Sequence, residues 1–187
     1  AHDPARFPPP LPLVPREDRL AQVRASLEAL GPRPWVALTW RGGVASAGPS
    51  RTQVKEVPLE RLGGALRGLP ATWIGVQRLP REGEYGRIAE ALGAPVHDRS
   101  AANDALEDML ALLACCDRYV TVSNANVHLG AGVGGGVELL VPQPPEWRWG
   151  VAGARSPWFP EASVHRQRVD GDWGEALAAL AAALHRG

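Results

Sequence analysis

Cysteine is nearly absent: the 187 residues hold two, Cys115 and Cys116, side by side in an apolar run. Adjacent cysteines suit neither a framework of spaced disulfides nor a zinc site, whose ligands must be separated along the chain. No metal site is expected, and a reducing, cytoplasmic setting is the default expectation. An excess of charge is missing too. Lys and Arg together number 20, as do Asp and Glu, which removes bulk electrostatic attraction to nucleic acid or anionic lipid. A long apolar run is also lacking: the longest stretch without formal charge, Tyr119 to Val137, carries Asn124, Asn126, His128 and many glycines, a poor membrane span. No basic segment leading into an apolar one opens the chain, so no signal peptide is expected.

What the chain does have is apolar surface, 45% of its residues being hydrophobic, in a length that suits one domain. Glycine (21) and proline (18) are plentiful but punctuate the apolar segments, as turns do. The run Phe7-Pro-Pro-Pro-Leu-Pro-Leu-Val-Pro15 cannot be helical, so residues 1–15 are expected to be an extended linker and residues 16–187 the folded domain.

Within that domain, short apolar runs alternate with helical spacing. The pattern predicts a helix over Arg16–Leu30, a strand over Trp35–Trp40, a helix marked by Leu59, Leu62, Leu66 and Leu69, and a strand over Thr72–Gln77. It continues with a helix over Glu84–Leu92, a strand over Ala94–His97, a helix over Asn103–Cys116 and a strand over Tyr119–Val122. A helix over about Asn126–Ala131, strands over Val137–Val141 and Val164–Val169, and a helix over Trp173–His185 complete it. Alternation of this kind implies an α/β fold with a doubly wound, mostly parallel, Rossmann-like sheet. Ligands of such sheets bind outside the carboxyl ends of the strands. Those ends lead into Thr39-Trp-Arg-Gly-Gly43, Gln77, His97-Asp98, Ser123-Asn124 and Pro142-Gln143.

The most telling segment is Val120-Thr-Val-Ser-Asn-Ala-Asn-Val-His-Leu129, an apolar strand that breaks into small polar residues and opens a helix. A helix start offers unpaired N–H groups and a positive dipole end to phosphate. Ser123 or Asn124 would cap it, and His128 lies one turn in. The same residues also serve as ordinary caps. Three other motifs have simpler explanations. Gly130-Ala-Gly-Val-Gly-Gly135 falls at the end of a helix, not in the first strand-to-helix turn. Asp170-Gly-Asp172, with Glu175, reads as a cap for the last helix, and Cys115 and Cys116 as buried side chains. Trp147 and Trp149 fit either stacking on a nucleobase or packing as core.

The Ser123–Leu129 segment resembles the glycosyltransferase family of the heptosyltransferases, in which a strand ends in Asp-Thr-Gly/Ala-x-x-His-Leu. The small residue Ala125, His128 and Leu129 match, and Ser123-Asn124 replaces the Asp-Thr pair. The likeness extends to Trp35–Gly43, which resembles the family's first strand and Trp-x-Gly turn, and to Lys55-Glu-Val-Pro-Leu59. Pro142-Gln-Pro-Pro-Glu-Trp-Arg-Trp149 and Ser156-Pro-Trp-Phe-Pro160 are similar to strings of the bacterial subgroup fused to tetratricopeptide repeats.

The resemblance implies the C-terminal half of a two-domain (GT-B) fold, holding a nucleotide-sugar donor without metal or other cofactor. By the same match, Thr39, Lys55, Ser123, Asn124, Ala125 and His128 would contact donor phosphate; Arg41 joins them from its place after the first strand, and Gln77 and Trp147 are candidate nucleobase contacts. Acceptor and general base would come from an N-terminal half or repeats upstream, so no residue of this chain is assigned a catalytic role. A non-catalytic binding or scaffold module is the alternative.

Overall fold

The computed structural model describes residues 11–42, 55–156 and 158–186. Residues 1–10 of the expected linker, Gly43 and Pro157 lie outside that set. Leu13 and Pro15 lie against the domain: Leu13 donates its N–H to the Gly132 carbonyl at 2.8 Å, and Pro15 is buried.

Six parallel strands form the central sheet. They are β1 (Trp35–Thr39), β4 (Thr72–Gly75), β5 (Val96–Asp98), β6 (Arg118–Val122), β7 (Gly136–Val141) and β8 (Ser163–Arg166), in the order β5-β4-β1-β6-β7-β8. A separate ladder pairs β2 (Arg41–Gly42) with β3 (Lys55–Glu56), antiparallel. The helices are α1 (Glu17–Glu28), α2 (Leu59–Leu66), α3 (Glu84–Leu92), α4 (Leu106–Cys115), α5 (Asn126–Gly132) and α6 (Gly174–His185). Winding runs outward from β1 in one direction and then from β6 in the other. This is the doubly wound order with its reversal between β1 and β6, where ligands of such sheets sit.

Both faces of the sheet are covered, and this accounts for the continuous apolar strands. Residues Trp35 and Ala37 of β1 face α1 and α4, in a core with Leu27, Met109, Leu112 and Leu139. Their neighbours Val36 and Leu38 face α2, α3 and α6, in a core with Leu62, Leu66, Ile88 and Leu180. Every residue of β1 is buried. Each fully buried leucine contributes about 1.5–3 kcal/mol relative to exposure, so the alternation of faces along β1 fixes its register against both layers.

The Rossmann-like α/β architecture expected from the sequence is what the chain adopts, with differences at element ends. The strand expected over Ala94–His97 is Val96–Asp98, shifted by its pairing with β4 (Trp73 with Val96, Gly75 with Asp98). The helix expected from Asn103 starts at Leu106. Before it, Ser100–Asp104 form a 3₁₀ turn, fixed by Asn103 donating to the Val76 and Ser100 carbonyls. The β2–β3 ladder, which the sequence did not announce, folds back over β6. Gly42 makes that approach feasible, since a Cβ there would lie 2.4 Å from the Ser123 carbonyl oxygen. Lys55 is thereby carried to the end of β6. Among the described residues no helix is long and apolar enough to cross a membrane.

Candidate functional site

A cavity of about 630 Å³ opens at the carboxyl ends of β1, β4 and β6, at the reversal of the sheet. Thr39, Arg41, Lys55, Gln77, Ser123, Asn124, Ala125 and His128, all singled out in the sequence, line it together with Arg78, Arg81, Asn103, Glu146 and Arg148. Trp147, also singled out, is not in its wall; the residue is 75% exposed and meets Trp158 edge-on at 5.7 Å.

The centre of the site is a carboxylate that sequence reasoning missed. Glu146 accepts from Lys55 Nζ at 2.8 Å through Oε1, which also faces Arg148 Nη2 at 3.6 Å. Its Oε2 accepts from the Ser123 hydroxyl and from Trp149 Nε1 at 3.2 Å. Burial alone would push the Glu146 carboxyl up, but donation by Lys55 and Ser123, with the Lys55 charge alongside, holds it below the usual range. The carboxylate is therefore ionised at neutral pH. Trp149 also donates to Ser123 Oγ at 2.8 Å and is wholly buried, so of its two readings core packing is the one realised.

Ser123 thus spends its hydroxyl on Glu146 and Trp149 and does not cap α5. Asn124 takes that role: its Oδ1 accepts from the Val127 N–H at 3.3 Å, and its Nδ2 donates to Thr121 Oγ1 at 2.9 Å. Helix limits shift by a residue or two with definition, and α5 is short, spanning seven residues.

His128 stacks on Trp149 with ring centres 6.0 Å apart and meets Phe159 edge-on at 5.2 Å. Its Nε2 lies 3.2 Å from Arg148 Nη1. A guanidinium can only donate, so Nε2 is the acceptor and the imidazole is neutral, with its proton on Nδ1. Burial first, then the Arg148 charge, lowers the His128 pKa below 6.5. A histidine whose folded-state pKa is depressed carries no penalty above its unfolded value. As pH falls below about 6.5 the unfolded chain takes the proton first, and stability drops until the folded-state pKa is passed. The C2–H proton resonance of His128 should therefore titrate below pH 6.5 by NMR, and Arg148→Ala should move that titration upward.

The remaining positions are held by the fold. Thr39 Oγ1 lies 3.0 Å from the Tyr119 hydroxyl and is buried. Gln77 accepts from the backbone N–H groups of Trp40 and Arg41 and donates to the carbonyls of Arg41 and Arg78. Its amide is fully used as a lock on the turn after β1, leaving nothing to read a nucleobase. Arg41 pairs with buried Glu84 at 3.0 Å, and one of its nitrogens also donates to the Leu79 carbonyl. Leu79 has a left-handed backbone, φ 49°, at the mouth of the cavity.

Elsewhere, Asp172 accepts from the Gly174 N–H at 2.7 Å at the start of α6, whereas Glu175 pairs with Arg168. Cys115 and Cys116 are free and buried. The Gly130–Gly135 segment ends α5 and turns, with Gly135 donating to the Gly130 carbonyl at 2.9 Å.

No protein-family model matches the chain. Protein FlbA of Caulobacter vibrioides is 27% identical over 174 residues, which are 92% of this chain and 28% of that protein. Among solved structures, E. coli ADP-heptose LPS heptosyltransferase II superposes with a TM-score of 0.65 at 17% identity, over 96% of this chain and 56% of that one. A glycosyl transferase family 9 protein from Veillonella parvula superposes with a TM-score of 0.56 at 16% identity, over 86% of this chain and 43% of that one. The shared fold is heptosyltransferase-like. The chain spans about half the length of these structures and just over a quarter of FlbA.

Proposed function

We propose that this domain binds the nucleotide-sugar donor of a metal-independent glycosyltransferase whose acceptor is a protein or a glycan. The observation that carries this reading is the cluster of cations, Arg41, Lys55, Arg78, Arg81 and Arg148, around one cavity at the reversal of the sheet. Lys55 and Arg148 lie beside the first turn of α5 and His128, which is the arrangement that stabilises negative charge growing on a leaving diphosphate. The fold shared with two proteins bearing transferase names, one of them acting with ADP-heptose, supports a nucleotide-linked sugar as the ligand class. On this reading Thr39 and Gln77 shape the floor of the site and do not touch the ligand. Acceptor binding and the general base belong to other parts of a longer bacterial, cytoplasmic protein, including tetratricopeptide repeats.

A scaffold role is the second reading. It is favoured by one observation: Lys55 already has an internal partner in Glu146.

Calorimetric titration of the chain with a panel of nucleoside diphosphates and nucleotide sugars separates the two. One nucleotide is expected to bind selectively, and Lys55→Ala to weaken it by about 10- to 100-fold, the worth of one charge-assisted hydrogen bond. Absence of binding across the panel, or equal binding by the variant, would reject the donor-site reading.

A further inference from the structure

The Glu146 carboxylate gathers the donors that a ligand anion needs. Lys55 and Arg148 reach one oxygen, Ser123 and Trp149 the other. The residue sits on the connection between β7 and β8, just before the turn Trp147–Trp149, and its side chain keeps 16% of its exposure, facing the cavity. Arg148 Nη2 comes only to 3.6 Å from Glu146, an ion pair without a close hydrogen bond, so the Arg148 guanidinium has donor capacity that Glu146 does not use. A carboxylate and a phosphate oxygen ask for the same N–H groups at the same distances, so an anion seated on the donor that Lys55 gives Glu146 has to displace the carboxylate from it.

We infer that Glu146 is an internal competitor for the ligand's anion: its carboxylate takes the Lys55–Arg148 subsite, and a diphosphate enters by exchanging with it. This rests on the donor-site reading above. Its consequence is charge selectivity. With Glu146 in place, the group formed by Lys55, Arg148 and Glu146 carries one net positive charge, so an anion of single charge gains little by displacing a carboxylate of equal charge. A diphosphate brings more than it removes. The exchange moves Glu146 by side-chain rotation toward the open cavity and asks nothing of the sheet.

The test is calorimetry with inorganic pyrophosphate and inorganic phosphate on the 187-residue chain and on Glu146→Gln. The amide keeps the shape and an oxygen for Ser123 and Trp149 but has no charge to oppose the ligand. Glu146→Gln is expected to bind pyrophosphate at least about tenfold more tightly than the parent and to narrow the preference for pyrophosphate over phosphate. Equal or weaker binding by a variant with unchanged circular dichroism would overturn the inference, since Glu146 would then be positioning Lys55, and would leave the donor-site reading standing. No binding by either chain would reject both. A measurement on the parent alone guards against a misfolded variant. The Trp149 indole N–H resonance should move as pyrophosphate saturates the site and Glu146 departs, and a resonance that stays put at saturation overturns the exchange.

Discussion

Replacing Trp149 with alanine is expected to lower the stability of the chain by about 3–5 kcal/mol, read as a drop in the urea midpoint at unchanged slope. The indole is wholly buried against His128 and Phe159, in the core that also holds Leu139 and Val141. Truncation removes that packing and leaves a void between the β7–β8 connection and α5. It also strips a donor from Ser123 and from Glu146, both of which lie in the cavity wall. Trp149→Phe separates the two contributions. Phenylalanine keeps most of the apolar surface and loses the N–H, so about 1–3 kcal/mol is expected for the missing hydrogen bonds alone. If alanine and phenylalanine cost the same, packing contributes nothing at this position and Trp149 acts through its N–H alone.

The second large effect is at Glu84, the first residue of α3. Its side chain is 4% exposed and pairs with Arg41, itself 12% exposed. It also accepts from the Arg81 backbone N–H at 2.8 Å, closing the turn that enters the helix. Glu84→Ala strands a buried guanidinium, and about 3–5 kcal/mol of destabilisation is expected for breaking one side of such a pair. Burial would raise the Glu84 carboxyl, yet the Arg81 amide and the Arg41 guanidinium more than offset it and hold the pKa below 4.5. A carboxylate depressed in the folded state stabilises above its unfolded pKa and loses that contribution as pH falls through the folded one. Acid unfolding followed by circular dichroism should therefore begin at higher pH in Glu84→Gln than in the parent.

Glu84 illustrates how much of this molecule can be read from the sequence. The helix it opens, Glu84–Leu92, is legible residue for residue, because Ile88 and Leu92 repeat at helical spacing and Gly83 and Gly93 bracket it. Its role as the partner of Arg41 is not, since the two are 43 positions apart and meet only when β1 and β4 pair. The central strands are legible for a related reason: a strand covered on both faces is a continuous apolar run, as Trp35–Thr39 and Arg118–Val122 nearly are.

The cavity wall is half legible. Strand ends point to Thr39, Ser123 and Asn124, the helix start after β6 points to His128, and a family resemblance adds Lys55. Glu146 escapes notice although its neighbours do not; in Glu146-Trp-Arg-Trp149 the tryptophans are the conspicuous residues. Nothing local marks Glu146 as a partner of Lys55, for the contact depends on the β2–β3 ladder. Its two-residue strands are too short to leave a period in the sequence. Gln77 goes the other way. A polar residue after a strand suggests a ligand contact, and in this fold the backbone of the neighbouring turn uses every hydrogen-bonding group it has.

The reversal of winding between β1 and β6 has a bearing on what an occupant of the cavity would do to the whole chain. Along that seam the first half, built around β1, β4 and β5, meets the second, built around β6, β7 and β8, through the β1–β6 pair within the sheet and through α2 on α6 beside it. Their lower ends are already fastened, Asp117 bonding Trp35 through both its side chain and its backbone. Their upper ends are joined across the cleft by Lys55 and Glu146, from opposite halves. A molecule seated there would act as a clasp, and its affinity would register as resistance to heat: about 2.7 kcal/mol at a hundred times the dissociation constant. A melting curve would then detect the occupant before its chemistry was known.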